Sequence, residues 1–133
     1  MTVNNFLNRS AFLAPTPRRY GEFIWPGRGV VRFRNMTDLE KSRFEVVLQK
    51  EGGGISEARL LDMRCRFIAA TCVGDDNELL FSKADVPSLM ELDGASIGRL
   101  FDSIRRHCGY DENDLESLVK NSSGTPGDDS QSA

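Results

Sequence analysis

Residues 22–45 decide the fold of the N-terminal half and read EFIWPGRGVVRFRNMTDLEKSRFE. Two β-type runs, residues 20–25 and 30–34, flank a Pro-Gly-Arg-Gly stretch that suits a tight turn, so they predict a β-hairpin. Thr37 and Glu40 then have the spacing of a capping box, in which each side chain accepts a hydrogen bond from the other residue's backbone. The segment therefore predicts a hairpin that leads directly into a helix over residues 37–50.

Helical periodicity continues beyond the glycines at 52–54, which are expected to end that first helix. Ser56 is a plausible cap for a central core helix, whose apolar stripe is Ala58, Leu61, Cys65, Ile68 and Cys72, widened by Leu60 and Phe67. A later stripe predicts a second buried helix and comprises Ile97, Leu100, Phe101, Ile104 and Cys108.

Shorter elements are predicted between and after these helices. Ser82 and Asp85 resemble a capping box and predict a short helix, while Asp111 is expected to cap the last helix. The apolar run at residues 79–81 reads as a short strand or an extended plug.

The predicted fold class is mainly α (α+β), with a small N-terminal β-hairpin followed by a compact bundle of about five helices. Residues 1–19 are expected to form a loosely ordered arm, in which Phe12 and Leu13 either dock elsewhere or form a short binding segment. Residues 20–120 are expected to be a single domain. The polar residues 121–133 are expected to be a disordered tail.

Charge and composition limit the classes of partner. A formal net charge of -3 over 133 residues argues against nucleic-acid binding through bulk charge. Residues 18–34 nevertheless hold five arginines against one glutamate, which indicates either a solvated strand face or a surface for an acidic partner. No stretch approaches the roughly 18 apolar residues of a membrane helix. The three cysteines have no CxxC spacing and are expected to be small buried side chains in a reducing cytoplasm.

Motifs for catalysis or for cofactor and metal binding are missing from the sequence. His107 adjoins Cys108, and neighbours on a helix point about 100° apart, so the two do not form a catalytic dyad. His107 is instead expected to lie exposed near a helix C-terminus. The acidic runs at residues 75–78 and 111–114 lack the spacing of a calcium loop. The sequence therefore predicts neither an enzyme nor a cofactor.

Three stretches resemble, in order and spacing, the tail assembly chaperones of long-tailed bacteriophages of the lambda type, over residues 20–121. The first stretch holds Glu22, Trp25, Gly27, Val30, Val31, Arg32, Met36, Thr37, Glu40, Arg43, Phe44 and Glu45. The second is the arginine-bearing helix over residues 59–68 with Asp75, Asp76, Leu80, Phe81, Asp85, Val86 and Leu89. The third holds Arg99, Leu100, Phe101, Gly109, Tyr110, Asp114, Leu115, Glu116, Lys120, Asn121 and Ser122. Asn77 stands where the family would have a glycine, and asparagine tolerates the left-handed conformation.

The resemblance implies a non-enzymatic role in the host bacterial cytoplasm. Proteins of this family coat the long, helical tape measure protein and keep it soluble before tail tube subunits polymerise around it, and they are absent from the finished virion. The family often makes a longer product by ribosomal frameshifting, so self-association or pairing with such an extended form is also implied. A chaperone for an apolar helix requires apolar grooves. The candidate partner-binding residues are Trp25, Phe44, Val47, Leu80, Phe81, Arg28, Arg32 and Arg34.

Alternatives remain open from the sequence. Trp25 is either a binding anchor or part of the packing between the hairpin and the helices. A core residue and a client-facing residue look the same in an apolar stripe. A structural tail or connector component would share the small size and the hairpin but would stay in the virion. A small regulatory nucleic-acid-binding module has only Arg28, Arg32 and Arg34 in its support.

Overall fold

A computed structural model describes residues 6–50 and 57–121 of the chain. Its elements, in order, are α1 (Arg9–Leu13), β1 (Tyr20–Trp25), β2 (Gly29–Arg34), α2 (Asp38–Lys50), α3 (Glu57–Thr71), β3 (Cys72–Val73), a 3-10 turn (Lys83–Asp85), α4 (Val86–Leu89), α5 (Gly94–His107) and α6 (Asp114–Asn121). The predicted mainly helical α+β architecture is confirmed. The glycines at 52–54, Ser56 and the tail beyond residue 121 lie outside the described residues.

The sheet is antiparallel and has the order β1-β2-β3. Residue pairing runs from Tyr20 opposite Arg34 to Trp25 opposite Gly29, which confirms the predicted hairpin. Gly27 has a φ of +77°, and the Arg28 N–H donates to the Trp25 carbonyl at 3.0 Å. The turn therefore uses a glycine at a backbone angle that other residues rarely adopt.

Both predicted capping boxes are present. The Glu40 N–H donates to Thr37 Oγ1 at 3.2 Å, and the Thr37 N–H donates to Glu40 Oε1 at 3.0 Å. At the second box, the Ser82 N–H donates to the Asp85 carboxylate at 2.9 Å. Local hydrogen bonds therefore fix where α2 and the 3-10 turn before α4 begin.

Phe67 of α3 lies at the centre of the core and is fully buried. Its ring centroid lies 5.4 Å from that of Phe44, 5.5 Å from that of Phe101 and 5.7 Å from that of Tyr110. The last two contacts are edge-to-face, which is a favourable arrangement of aromatic quadrupoles. One side chain thus joins α2, α3, α5 and the residues that precede α6.

The prediction for α3 is wrong about burial at Leu61 and about the helix end at Cys72, although Cys72 is buried as expected. Leu61 is 67% exposed, and Cys72 belongs to β3 because α3 ends at Thr71 and the chain then extends to pair with β2. Other helices pack on several sides of α3, so the buried face is broader and centres on Met63 and Phe67. A contiguous apolar run at a helix end does not reveal that the last residues form a strand.

Two expectations near the C-terminus are also wrong. His107 is half-buried rather than exposed, because the end of α5 packs on the sheet and its ring meets the Phe33 ring edge-on at 5.2 Å. Asp111 does not cap the last helix, which begins at Asp114. Asn113 has a φ of +78°, which interrupts the helical path before α6. The Asp111 N–H instead donates to the Asp114 carboxylate at 2.6 Å.

Candidate functional site

An apolar groove of about 450 Å³ lies beside the open edge of β2. We call it the edge groove. Its floor and walls come from the hairpin, from the segment after β3 and from α4 and α5. The apolar side chains that line it include Trp25, Val30, Val31, Leu80, Phe81, Leu89, Leu92 and Leu100.

The edge of β2 is open because β3 is only two residues long. Arg32 pairs with Val73 and Phe33 pairs with Cys72, so residues 29–31 have no partner strand on that side within the described part of the chain. At Gly74 the chain turns away, and the Asn77 N–H donates to the Gly74 carbonyl at 3.0 Å. The turn is possible because Asn77 adopts a φ of +66°, as expected of asparagine.

Trp25 packs against the core and also lines the edge groove, so its position is compatible with both interpretations that the sequence left open. It is half-buried, packs against the core and meets Phe23 edge-on at a centroid distance of 6.4 Å. It also lines the edge groove, and the guanidinium of Arg28 lies 5.7 Å from its ring centroid. A rigid aromatic side chain held in this way is suited to binding an apolar partner at low entropic cost.

A second apolar groove, of about 400 Å³, runs between α2, α3 and residues 79–86. We call it the helix groove. Phe44 and Val47 reach it from α2, and Met36 lines it from the segment between β2 and α2. Its further apolar lining is Leu48, Ala69, Ala70, Leu79, Phe81 and Val86, and its charged rim is Arg34, Glu40, Arg43, Arg66 and Lys83.

The segment over residues 79–81 separates the two grooves. The Leu80 N–H donates to the Cys72 carbonyl at 2.9 Å, and Leu79 forms an isolated bridge with Val73, so the backbone is held against β3. Leu80 lines the edge groove and is 53% exposed, whereas Leu79 lines the helix groove and is 45% exposed. Phe81 lines both grooves. The grooves therefore form two adjacent parts of one apolar surface.

The three predicted arginines of the hairpin do not form one basic patch. Arg32 lies over the Tyr20 ring, 4.3 Å from its centroid, and its Nε donates to Asn77 Oδ1 at 2.8 Å. Arg34 faces Glu40, with 3.5 Å between its Nη2 and the carboxylate. Arg28 is exposed beside Trp25. Arg28 and Arg32 line the edge groove and Arg34 lines the helix groove, so each contributes charge to a groove rim.

All eight predicted partner-binding residues therefore line one of the two grooves. Sequence reasoning missed Leu79, Met36 and Val31, which line the same surface. The only signal for Leu79 was its place in the apolar run with Leu80 and Phe81. Which of the two grooves each residue lines depends on tertiary packing and has no signature in the sequence.

Burial raises the pKa of Cys72 to about 12 and that of Cys108 to about 11, so neither thiol is poised as a thiolate nucleophile at neutral pH. Residues 6–50 and 57–121 contain no group of three or more histidine, cysteine or acidic side chains placed to hold a metal ion. In the same residues, no helix combines the length and apolar character needed to cross a membrane.

Comparisons of the chain with protein-family models, with curated proteins and with solved structures give no match. The grooves and the side chains that line them are therefore the structural basis for assigning a function.

Proposed function

We propose that this protein is a tail assembly chaperone of a long-tailed bacteriophage or prophage. It binds the tape measure protein in the host cytoplasm and keeps it soluble until tail tube subunits assemble around it, and it leaves before the virion is complete. The observation that carries the proposal is the pair of adjacent apolar grooves that share Phe81. The sequence resemblance names the client that such grooves would serve.

Adjacent grooves suit a long apolar helix better than a small ligand. An amphipathic helix binds by laying its apolar face into a groove, where side chains one turn apart fill successive positions. The exposed Val47 and Leu80 and the half-buried Trp25 supply contact points on either side of Phe81. One groove of this size binds weakly, but many copies on one long client would raise the occupancy through multivalency.

The charged rims explain how a weak contact is oriented. Arg28 and Arg32 border the edge groove, and Arg43 and Lys83 border the helix groove. Rim charges mainly steer encounter and exclude wrong partners, while the apolar centre supplies affinity. A client with acidic residues beside its apolar stripe would match both grooves.

Co-expression with the longest helical, low-complexity protein encoded nearby tests the proposal. We expect that partner to become soluble and to co-purify with many copies of this chain. Leu80→Asp should abolish co-purification because it places a charge in the edge groove. Leu61→Asp is the matched control, since Leu61 is a more exposed leucine (67% against 53%) that lines neither apolar groove. A partner that stays insoluble, or equal effects of both substitutions, would refute the proposal.

Mass spectrometry of purified phage particles separates the chaperone from a structural tail or connector component. We expect no peptides of this chain in intact virions, although the protein is present in the lysate. Recovery in stoichiometric amounts would instead identify a component that is retained in the tail.

A further inference from the structure

The N-terminal arm carries an exposed apolar surface. Four large apolar side chains occur within eight residues, at Phe6, Leu7, Phe12 and Leu13, and they are 95%, 64%, 72% and 60% exposed. The arm is also locally ordered, because Asn8 Oδ1 accepts a hydrogen bond from the Ala11 N–H at 2.8 Å at the start of α1. An ordered, exposed apolar segment of this kind usually marks a binding site.

The arm is attached at the rim of the helix groove. Arg18 makes a bidentate contact with Glu40, at 2.6 Å and 3.0 Å, and it also donates to the Asn35 carbonyl at 3.0 Å. Glu40 is a rim residue of the helix groove. Residues 14–17 connect α1 to this attachment point and give the arm a reach of at most about 17 Å.

The connection favours binding to another molecule over folding back. Pro15 and Pro17 fix two of the backbone angles between α1 and Arg18, and Ala14 is extended with φ -60° and ψ 136°. Alternating prolines stiffen a connection and hold it extended. Every residue of α1 is exposed, so the arm projects from its own domain with the apolar side chains uncovered.

We propose that the apolar arm of one copy, residues 6–13, binds in the helix groove of a second copy. The arm offers exposed apolar side chains, and the groove offers an apolar lining that includes Phe44, Val47 and Leu79. The arm and the groove are different surfaces, so the contact is heterologous. Two copies could exchange arms and form a closed dimer, or each copy could bind the next and form a longer oligomer. This association needs no client. If the proposed function also holds, the arm and the client compete for one groove.

Light scattering coupled to size-exclusion chromatography tests the inference with the full chain and no other protein. We expect the mass of the wild-type protein to rise above the monomer value of 14.8 kDa with increasing concentration. The double variant Phe12→Ser/Leu13→Ser should weaken association by about tenfold or more, because it removes exposed apolar area without touching the core. Val47→Asp should have a similar effect from the groove side.

Val46→Asp is the matched control for the groove variant. Val46 is 47% exposed and neighbours Val47 on α2, but it does not line the helix groove. We expect Val46→Asp to associate like the wild type. Circular dichroism of each variant checks that the domain is folded, and the arm variant tests the inference even if a groove variant is unstable.

Mixing the two defective variants gives the decisive result. The Val47→Asp protein keeps an intact arm and the Phe12→Ser/Leu13→Ser protein keeps an intact groove, so one contact can form between them. We expect a mixed dimer, although neither variant associates by itself. A wild-type protein that is monomeric at all concentrations, an arm variant that associates normally, or the absence of a mixed dimer would overturn the inference. None of these results depends on whether the tape measure protein is the client.

Discussion

Arg18 and Glu40 form a bidentate ion pair that links the N-terminal arm to the first turn of α2. The two hydrogen bonds measure 2.6 Å and 3.0 Å. Glu40 also accepts from the Thr37 N–H, and Arg34 of β2 lies 3.5 Å from the same carboxylate. One carboxylate thus joins the arm, the hairpin and the helix.

Stability should depend on the ionisation of Glu40. The hydrogen bond from Arg18 is the main cause that lowers the pKa of Glu40 from 4.5 to about 2, against the opposing effect of burial. A lowered folded-state pKa contributes stability above the unfolded value of 4.5, and that contribution is lost as the pH falls towards 2. The side chain is partly exposed, so after screening we expect about 1–2 kcal/mol.

Glu40→Gln isolates this contribution, because glutamine can still serve in a capping box. Urea unfolding of both proteins should show the wild type more stable at pH 6, with the difference in unfolding free energy reduced by more than half at pH 2.5, close to the folded-state pKa of about 2. If the two proteins differ in unfolding free energy by the same amount at both pH values, the pH dependence does not come from Glu40.

Tyr110→Phe should destabilise the fold by about 1–2 kcal/mol. The Tyr110 hydroxyl donates to Glu45 Oε2 at 2.6 Å, and burial with this contact raises the pKa of Tyr110. The substitution leaves the ring in place against Phe67 and removes only the donor. Tyr20→Phe is the control, since phenylalanine keeps the ring beneath Arg32 and should change the unfolding free energy by less than about 0.5 kcal/mol. Equal effects of the two substitutions in denaturant titrations would exclude a specific role for the hydroxyl contact.

Two glycine-to-alanine substitutions should change the stability of the fold in opposite directions. A Cβ at Gly21 would lie 2.5 Å and 2.8 Å from two ring atoms of the buried Phe33, so Gly21→Ala should cost about 1–3 kcal/mol. A Cβ at Gly98 meets no atom within 4 Å, and this residue lies within α5, so Gly98→Ala should stabilise by about 0.5–1 kcal/mol. Thermal unfolding midpoints that shift in the same direction would be inconsistent with this packing.

Native thiols should react slowly with a disulfide reagent such as Ellman's reagent. Burial raises the pKa of Cys65 as well as those of Cys72 and Cys108, which reach about 12 and about 11. We expect all three cysteines to react promptly only after unfolding in urea. Rapid reaction of any thiol in the folded protein, followed by absorbance, would show that the core opens more readily than the packing indicates.

Sequence patterns correctly predicted the structural elements that are determined by residues close together in the chain. The hairpin, the capping boxes at Thr37 and Ser82 and the buried stripe of α5 follow from turn chemistry, side-chain caps and a 3.6-residue period. The failures at Leu61, Cys72 and His107 share one cause. The environment of each residue depends on which helix or strand packs against it, and that information is spread over distant parts of the chain.

The candidate site was likewise only partly predictable from the sequence. The sequence offered Trp25, Leu80 and Phe81 as candidates for a client surface, but it could not distinguish core residues from client-facing ones. The existence of two grooves, and the role of Phe81 between them, required the short pairing of β3 with β2. No period or motif encodes a strand of two residues.

The short length of β3 has a further consequence for aggregation of the protein at high concentration. An unpaired strand edge beside apolar side chains can template the pairing of another copy and begin fibril growth. Arg28 and Arg32 flank residues 29–31 at this edge, so two such edges brought together would repel each other. Removing both charges is therefore expected to promote edge-to-edge pairing and aggregation of the protein at high concentration.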